Sequence, residues 1–259
     1  MTDTILIGLF FLGGLMVLLG LLLKPGKRRK IITPLPGMYR KLLNENVAFY
    51  NRLADDEKIK FGNRVQHFLS TTRITGIKTS VEDIDKVLIG ASAIIPIYAF
   101  PNWEYINLRE VLLYPETFGE NFEIEGGERV VMGMVGNGPM QQVMILSQHA
   151  LREGFSNKTD KANTAIHEFI HLVDKTDGDV DGVPEVLMQH QYVLPWLDLA
   201  HKNIKEIMKN RSDINPYGAT NQAEFLAVAA EYFFERPDLL KRKHPELNSM
   251  LEKMFGKAN

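Results

Sequence analysis

Thr164-Ala-Ile-His-Glu-Phe-Ile-His-Leu-Val-Asp174 is the stretch on which the reading of the whole chain turns. Residues four apart on an α-helix share one face, a turn above each other. His167 and His171 therefore point the same way and can hold one metal ion between them. Glu168 follows His167 directly and sits beside the ion, where a general base must be to take a proton from a water that the metal activates. Ile166, Phe169, Ile170 and Val173 occupy the other face and suit burial against a core. The pattern points to a zinc hydrolase site; the plain alternative is a buried helix with two satisfied histidines. Asp160 is a candidate cap for the start of this helix. Asp174 shares the histidine face. Its carboxylate would either accept the spare ring N–H of a ligand histidine or end the helix in solvent.

Composition narrows the choices. A chain of 259 residues buries a sizeable core in one or two domains. The net charge of -2 gives no argument for nucleic-acid binding, and none is predicted. The absence of cysteine removes disulfides, thiolate nucleophiles and Cys–zinc sites together. Zinc must then be held by His, Asp or Glu, and three such ligands with a fourth corner open is the catalytic pattern.

Upstream, Ile5 to Leu23 is apolar without a charge. At about 1.5 Å per residue it nearly covers the roughly 30 Å hydrocarbon core of a bilayer. It reads as a transmembrane helix. Lys24, Lys27, Arg28, Arg29 and Lys30 follow it. By the positive-inside rule the N-terminus lies outside and the remainder in the cytoplasm, at a bacterial inner membrane. A cleaved signal peptide would carry its positive charge before the apolar run and small residues after it, which this segment lacks.

Residues 1–30 thus read as anchor and basic juxtamembrane segment, and 31–259 as the functional domain. Thr33-Pro-Leu-Pro-Gly37 is a linker. Helical patterns follow over Tyr39 to Leu53 and Asp56 to Ser70. Ser80-Val-Glu-Asp83 resembles a capping box that opens a third helix, which Pro96 and Pro101 end. His67 lies among these stripes as a surface or packing residue. Val111 to Tyr114, Arg129 to Val135 and Gln142 to Ser147 read as strands of a sheet spanning about 110–147, joined by Gly-rich turns. An extended peptide can add itself to an exposed sheet edge, and the strand ending near Met144 to Ser147 is the candidate edge.

Asp177-Gly-Asp-Val-Asp-Gly182 imitates the start of a calcium loop, but its twelfth position is Met188 where a glutamate is required; it reads as an acidic surface loop. Val193 to Lys209 is a further amphipathic helix, with His190 and His201 nearby as structural residues. The metal-binding helices fall within 160–236 and a C-terminal helix within 237–259.

Two histidines need a third ligand. The helix after Tyr217, capped by Thr220 or Asn221, carries Glu224 and Glu231 seven residues apart on one face among apolar neighbours. A glutamate there is costly to bury unless paired or metal-bound. Glu224 also suits the N3 position of a capping box with Asn221, so residue chemistry alone leaves Glu224, Glu231 and the remaining His and Asp side chains open.

A family resemblance chooses among them. His167-Glu-Phe-Ile-His171, Asp174, Asp177-Gly-Asp, Gly182-Val-Pro184, Tyr217-Gly-Ala-Thr, Ala223-Glu-Phe-Leu-Ala-Val and Glu231-Tyr-Phe-Phe234 resemble the MtfA (Mlc titration factor A) family of zinc-dependent peptidases, as do Arg64-Val-Gln-His-Phe-Leu69 and Leu113-Tyr-Pro115. The resemblance runs from about Leu43 to the C-terminal helix. It implies an α+β, zincin-like metallopeptidase domain with aminopeptidase-like activity. It also implies Zn²⁺ on His167, His171 and Glu224, with Glu231 supporting the site and the family tyrosine at Tyr217. The membrane segment is not part of that pattern, so the partner of the family's namesake is not carried over. The expected partners are a peptide or protein substrate and, through Ile5 to Leu23, the membrane. The rival function is a membrane-tethered regulatory protein that binds a protein partner and uses zinc as a structural staple.

Overall fold

A computed structural model describes residues 34–116, 133–135, 142–157 and 159–256, all within a unit spanning Thr33–Asn259. The Ile5 to Leu23 anchor, the basic cluster after it, the 129–132 part of the second strand and the Gly-rich turns around it lie outside the described residues. Among the described residues no helix is long and apolar enough to cross a membrane.

The chain opens with α1 (Gly37–Asn46), α2 (Ala48–Arg52) and α3 (Asp55–Thr71). The single helix expected over Tyr39 to Leu53 is two, because Val47 adopts φ -109°, ψ 100° and buries its side chain completely. β1 (Arg73–Gly76) leads to α4 (Asp83–Ile94). That helix starts later than the Ser80 pattern suggested: Asp85, its third residue, accepts from the Glu82 N–H at 2.9 Å. Asp85 is fully buried and is satisfied by Arg152 at 2.7 Å and Gln148 at 2.8 Å as well.

Next come β2 (Glu110–Tyr114), β3 (Gly133–Val135) and β4 (Val143–Ser147). The strand order is β1-β2-β4-β3, with β1, β2 and β4 parallel and β3 antiparallel to β4. Two expectations change here. The sheet begins at Arg73 rather than near 110, since a four-residue half-exposed strand carries too little pattern to be read. The strand containing Met144 is interior, with β2 on one side and β3 on the other; the edge beside the histidine helix is β3. The β4 residues Val143 to Ser147 are mostly buried, as parallel-sheet strands covered on both faces are.

β4 runs directly into α5 (Gln148–Ser156), where Ser147 Oγ caps the helix by accepting from Ala150 N–H at 3.1 Å. α6 (Thr164–Asp174), α7 (Val193–Met208) and α8 (Gln222–Glu235) follow, then α9 (Pro237–Lys243) and α10 (Pro245–Phe255). The expected single C-terminal helix is two. Pro245 keeps His244 before it out of the helical region, at φ -132° and ψ 61°.

α6 is buried nearly all round rather than on one face: every residue from Ala165 to Asp174 is buried except His171. Phe169 anchors it, in edge contact with Phe68 (5.7 Å between ring centres) and tilted against Tyr105 (5.1 Å). Burying such a ring stabilises the fold by about 1.5–3 kcal/mol. α8 packs against α6 with Phe225 and Phe233 fully buried, and Arg52 ties the end of α8 to α2 by donating to Phe234 O at 2.9 Å. Helices over a small mixed sheet make this an α+β fold.

Candidate metal centre

The start of α6 is capped by Asn163, whose Oδ1 accepts from Ile166 N–H at 3.2 Å. The expected cap, Asp160, lies too early; it accepts instead from Asn157 Nδ2 at 2.8 Å. With the helix so placed, His167 and His171 face α8. Asn221 caps α8 by accepting from Glu224 N–H at 2.9 Å. Glu224 occupies N3 as the capping pattern required, but its carboxylate does not return to Asn221. It crosses to α6, where Oε2 lies 2.9 Å from His167 Nε2 and 3.5 Å from His171 Nε2. The two Nε2 atoms are 3.1 Å apart.

These three atoms form a triangle with sides of 2.9, 3.1 and 3.5 Å. Zinc bonds of 2.0–2.1 Å in tetrahedral geometry put neighbouring donor atoms about 3.3–3.4 Å apart. The donor set of two imidazoles and one carboxylate therefore fits a metal ion in its spacing and its chemistry. Among the described residues, His167, His171 and Glu224 are the one group of three acidic or imidazole side chains arranged to do so.

Without an ion the cluster is an imidazolium–carboxylate pair. Burial alone would lower the His167 pKa, but hydrogen bonds to Glu224 and Glu231 push it up to about 10. Burial likewise works against the Glu224 charge, and the two imidazoles hold its carboxyl down to about 2.

Glu231, two turns along α8, braces the site from behind. Its Oε1 accepts from His167 Nδ1 at 2.7 Å and its Oε2 from the Asn163 N–H. One carboxylate thus fixes the tautomer of His167 and the N-terminus of its helix. Asp174 does not play this part for His171. Its Oδ2 accepts from Gly182 N–H at 2.9 Å, while its Oδ1 and His171 Nδ1 are both buried with no hydrogen-bond partner among the described residues. Burial pushes the Asp174 carboxyl up to about 7.

Glu168 is 6 % exposed, and burial raises its pKa despite the neighbouring histidines. It lies under β3: a methyl group added at Gly133 would come within 2.6 Å of Glu168 Cγ and 2.8 Å of Oε1. Only a residue without a side chain lets the edge strand pass so close. That contact was not foreseen, and a lone Gly before Met134 carried no signal of it. Tyr217 lies in the 3₁₀ turn Pro216–Ala219, where Asn215 Oδ1 accepts its N–H at 3.0 Å. It is 54 % exposed, and its ring centre is 6.0 Å from that of His167. Partial burial, followed by the charges of Glu224 and Glu168, raises its phenol pKa. His201 stands apart, beside Gln222 Nε2 at 2.6 Å, and His67 faces Glu104 at 3.4 Å.

The chain is 27 % identical over 235 residues to uncharacterized protein slr2042 of Synechocystis sp., covering 86 % of this chain and 84 % of that one. It is 25 % identical over 218 residues to Mlc titration factor A of Pectobacterium atrosepticum, covering 78 % and 80 %. It is 27 % identical over 217 residues to the Mlc titration factor A of Escherichia coli, again covering 78 % and 80 %. The family model described as glucose-regulated metallo-peptidase M90 matches residues 24–256. The chain belongs to that metallopeptidase family, the one its motifs resemble.

Proposed function

We propose that this protein is a zinc-dependent peptidase of zincin-like architecture, with the ion held by His167, His171 and Glu224. The observation that carries the reading is the triangle of three donor atoms next to a buried carboxylate, Glu168. Two nitrogens and one oxygen suit zinc, and three protein donors leave a corner for water or substrate. When bound, the ion would supply Lewis acidity, lowering the pKa of a water to about 7. Glu168 accepts the proton of the attacking water as its oxygen adds to the peptide carbonyl carbon. It then returns that proton to the departing amine nitrogen as the C–N bond breaks. Burial raises the affinity of Glu168 for this proton, which suits a group that must both take and give it. Glu231 keeps Nε2 of His167 free for the ion by holding Nδ1–H. In this reading the Tyr217 hydroxyl donates to the carbonyl oxygen as it gains charge, a role supported by its ring centre lying 6.0 Å from that of His167.

The substrate backbone is proposed to pair with β3, the edge strand among the described residues, next to Glu168. Aminopeptidase-like preference rests on the family resemblance alone. Free and N-acetylated peptides of one sequence test it, and equal cleavage of both removes it.

The central test uses metal analysis and peptide cleavage together. Wild type should hold one equivalent of zinc and lose cleavage to a chelator. Glu168→Gln should keep the zinc and lose cleavage by about 10²–10⁴-fold, and Glu224→Ala should lose stoichiometric zinc. Cleavage that persists in Glu168→Gln, or full zinc in Glu224→Ala, overturns the assignment. The rival regulatory reading requires a fourth protein donor and no cleavage by the zinc-loaded chain.

A further inference from the structure

One residue away from the donor triangle touches the ends of both ligand-bearing helices. Gly182 lies in the loop after α6 with φ +81°, a conformation that favours glycine. Its N–H donates to Oδ2 of Asp174, the last residue of α6, at 2.9 Å. Its carbonyl accepts from Trp196 Nε1 of α7 at 2.6 Å. Its α-carbon rests on the first turn of α8: an added methyl would lie 2.5 Å from the Gln222 carbonyl carbon and 2.9 Å from Ala223 N. Those are backbone atoms and cannot swing aside. Asp174 and Trp196 are 0 % and 1 % exposed, so both side chains are spent on this junction.

The junction bears on the metal centre because Glu224 follows Gln222 by two residues in the same turn. The histidines come from α6 and the third donor from α8, with a sequence separation of 57 between His167 and Glu224. Nothing local along the chain sets their spacing. A path of direct contacts does: the end of α6, Asp174, Gly182, and then the backbone that carries Glu224. A displacement of about 1 Å in that turn is enough to detune a site of this kind.

We infer that Gly182, clamped by Asp174 and Trp196, is the registration point that sets α8 against α6, and that Asp174 and Trp196 are positioning residues for Glu224. The consequence for zinc rests on the metal-centre reading above; the registration itself does not. It also gives the buried Asp174 carboxylate an assignment unrelated to the histidine next to it on the helix face.

Two readouts on the full chain test this. The first is amide hydrogen exchange on the metal-free protein; the second is zinc affinity by competition with a chromogenic chelator. Asp174→Ala should raise exchange at residues 223–226 at least tenfold, leave residues 229–235 protected, and weaken zinc at least tenfold. Asp174→Asn keeps an acceptor for the Gly182 N–H and should restore both toward wild type. Trp196→Phe, which keeps a smaller aromatic ring and removes the N–H, should move both readouts in the direction of Asp174→Ala; it serves alone if Asp174→Ala does not fold. The inference is overturned if exchange in these variants matches wild type, if protection is lost evenly over the chain, or if Asn fails to rescue. Wild type that takes up no zinc yet shows the local exchange pattern supports the registration and removes the metal-centre reading instead.

Discussion

Glu235 sits one turn beyond Glu231 on α8, and its Oε1 accepts from Asn163 Nδ2 at 2.9 Å. Burial raises its pKa to about 7, opposed by the hydrogen bond from Asn163 and by Arg52, and reinforced by Glu231 and Asp160. In the unfolded chain it titrates near 4.5. Below that value both states are protonated and the stabilising effect of burying a neutral acid is complete. As pH rises from about 4.5 to 7 the unfolded chain ionises first, so stability falls; above the folded value it falls no further. Glu235→Gln keeps an acceptor for Asn163 and cannot ionise. Urea midpoints at pH 5 and pH 8 should therefore differ less in Glu235→Gln than in wild type, by on the order of 1–3 kcal/mol. An identical pH slope in the two proteins would rule out a neutral Glu235 in the fold. The residues of the candidate site were mostly legible because they obey one local rule: a spacing of four put His167 and His171 on one face. Glu231 shared the face of Glu224 by the same arithmetic. Asp174 was on the expected face too, but its partner is an N–H eight residues later, which only the path of the returning loop decides.

β3 illustrates how an element of three residues governs chemistry set on a helix. Gly133 passes within contact of Glu168, so any side chain there meets the carboxylate head-on. Gly133→Ala should cut peptide cleavage by at least tenfold through displacement of Glu168, while zinc content stays at one equivalent. Because β3 is a short edge strand, the melting temperature should fall by only a few degrees. A variant that cleaves as wild type does would show that Glu168 has room to move without consequence. Periodicity found most of the described helices, since each buries an apolar stripe, and the β-rich runs marked β2, β3 and β4. It failed on order within the sheet, because the pairing of β4 with β2 and β3 is a tertiary choice that no single strand encodes. α5 went unread as well: it has only nine residues with Gly154 inside it, although it buries Ala150, Leu151 and Phe155 and starts where Ser147 caps it.

At the scale of the molecule, an ion bound at the triangle acts on the folded chain alone. With free zinc at 100 times its dissociation constant, stability should rise by about 2.7 kcal/mol. For a unit of this size the melting temperature should climb by roughly 5–10 °C, and the gain should vanish in Glu224→Ala. We further propose that Ile5 to Leu23 holds the protein in a membrane, on the strength of its apolar length and the basic residues after it. The full chain should stay with membranes through alkaline carbonate extraction, and release into the supernatant would exclude a spanning segment. The separation of 57 residues between His167 and Glu224 has one more consequence. Drawing together two points so far apart on a flexible chain sacrifices about 3–4 kcal/mol of loop entropy by the (3/2)RT ln n rule. The triangle therefore comes into being only once folding has closed that loop, and zinc offered to a nascent or partly unfolded chain meets just the two histidines. Metal capture is then a late event in maturation, and refolding experiments should find the rate of compaction indifferent to zinc while the rate of unfolding slows in its presence.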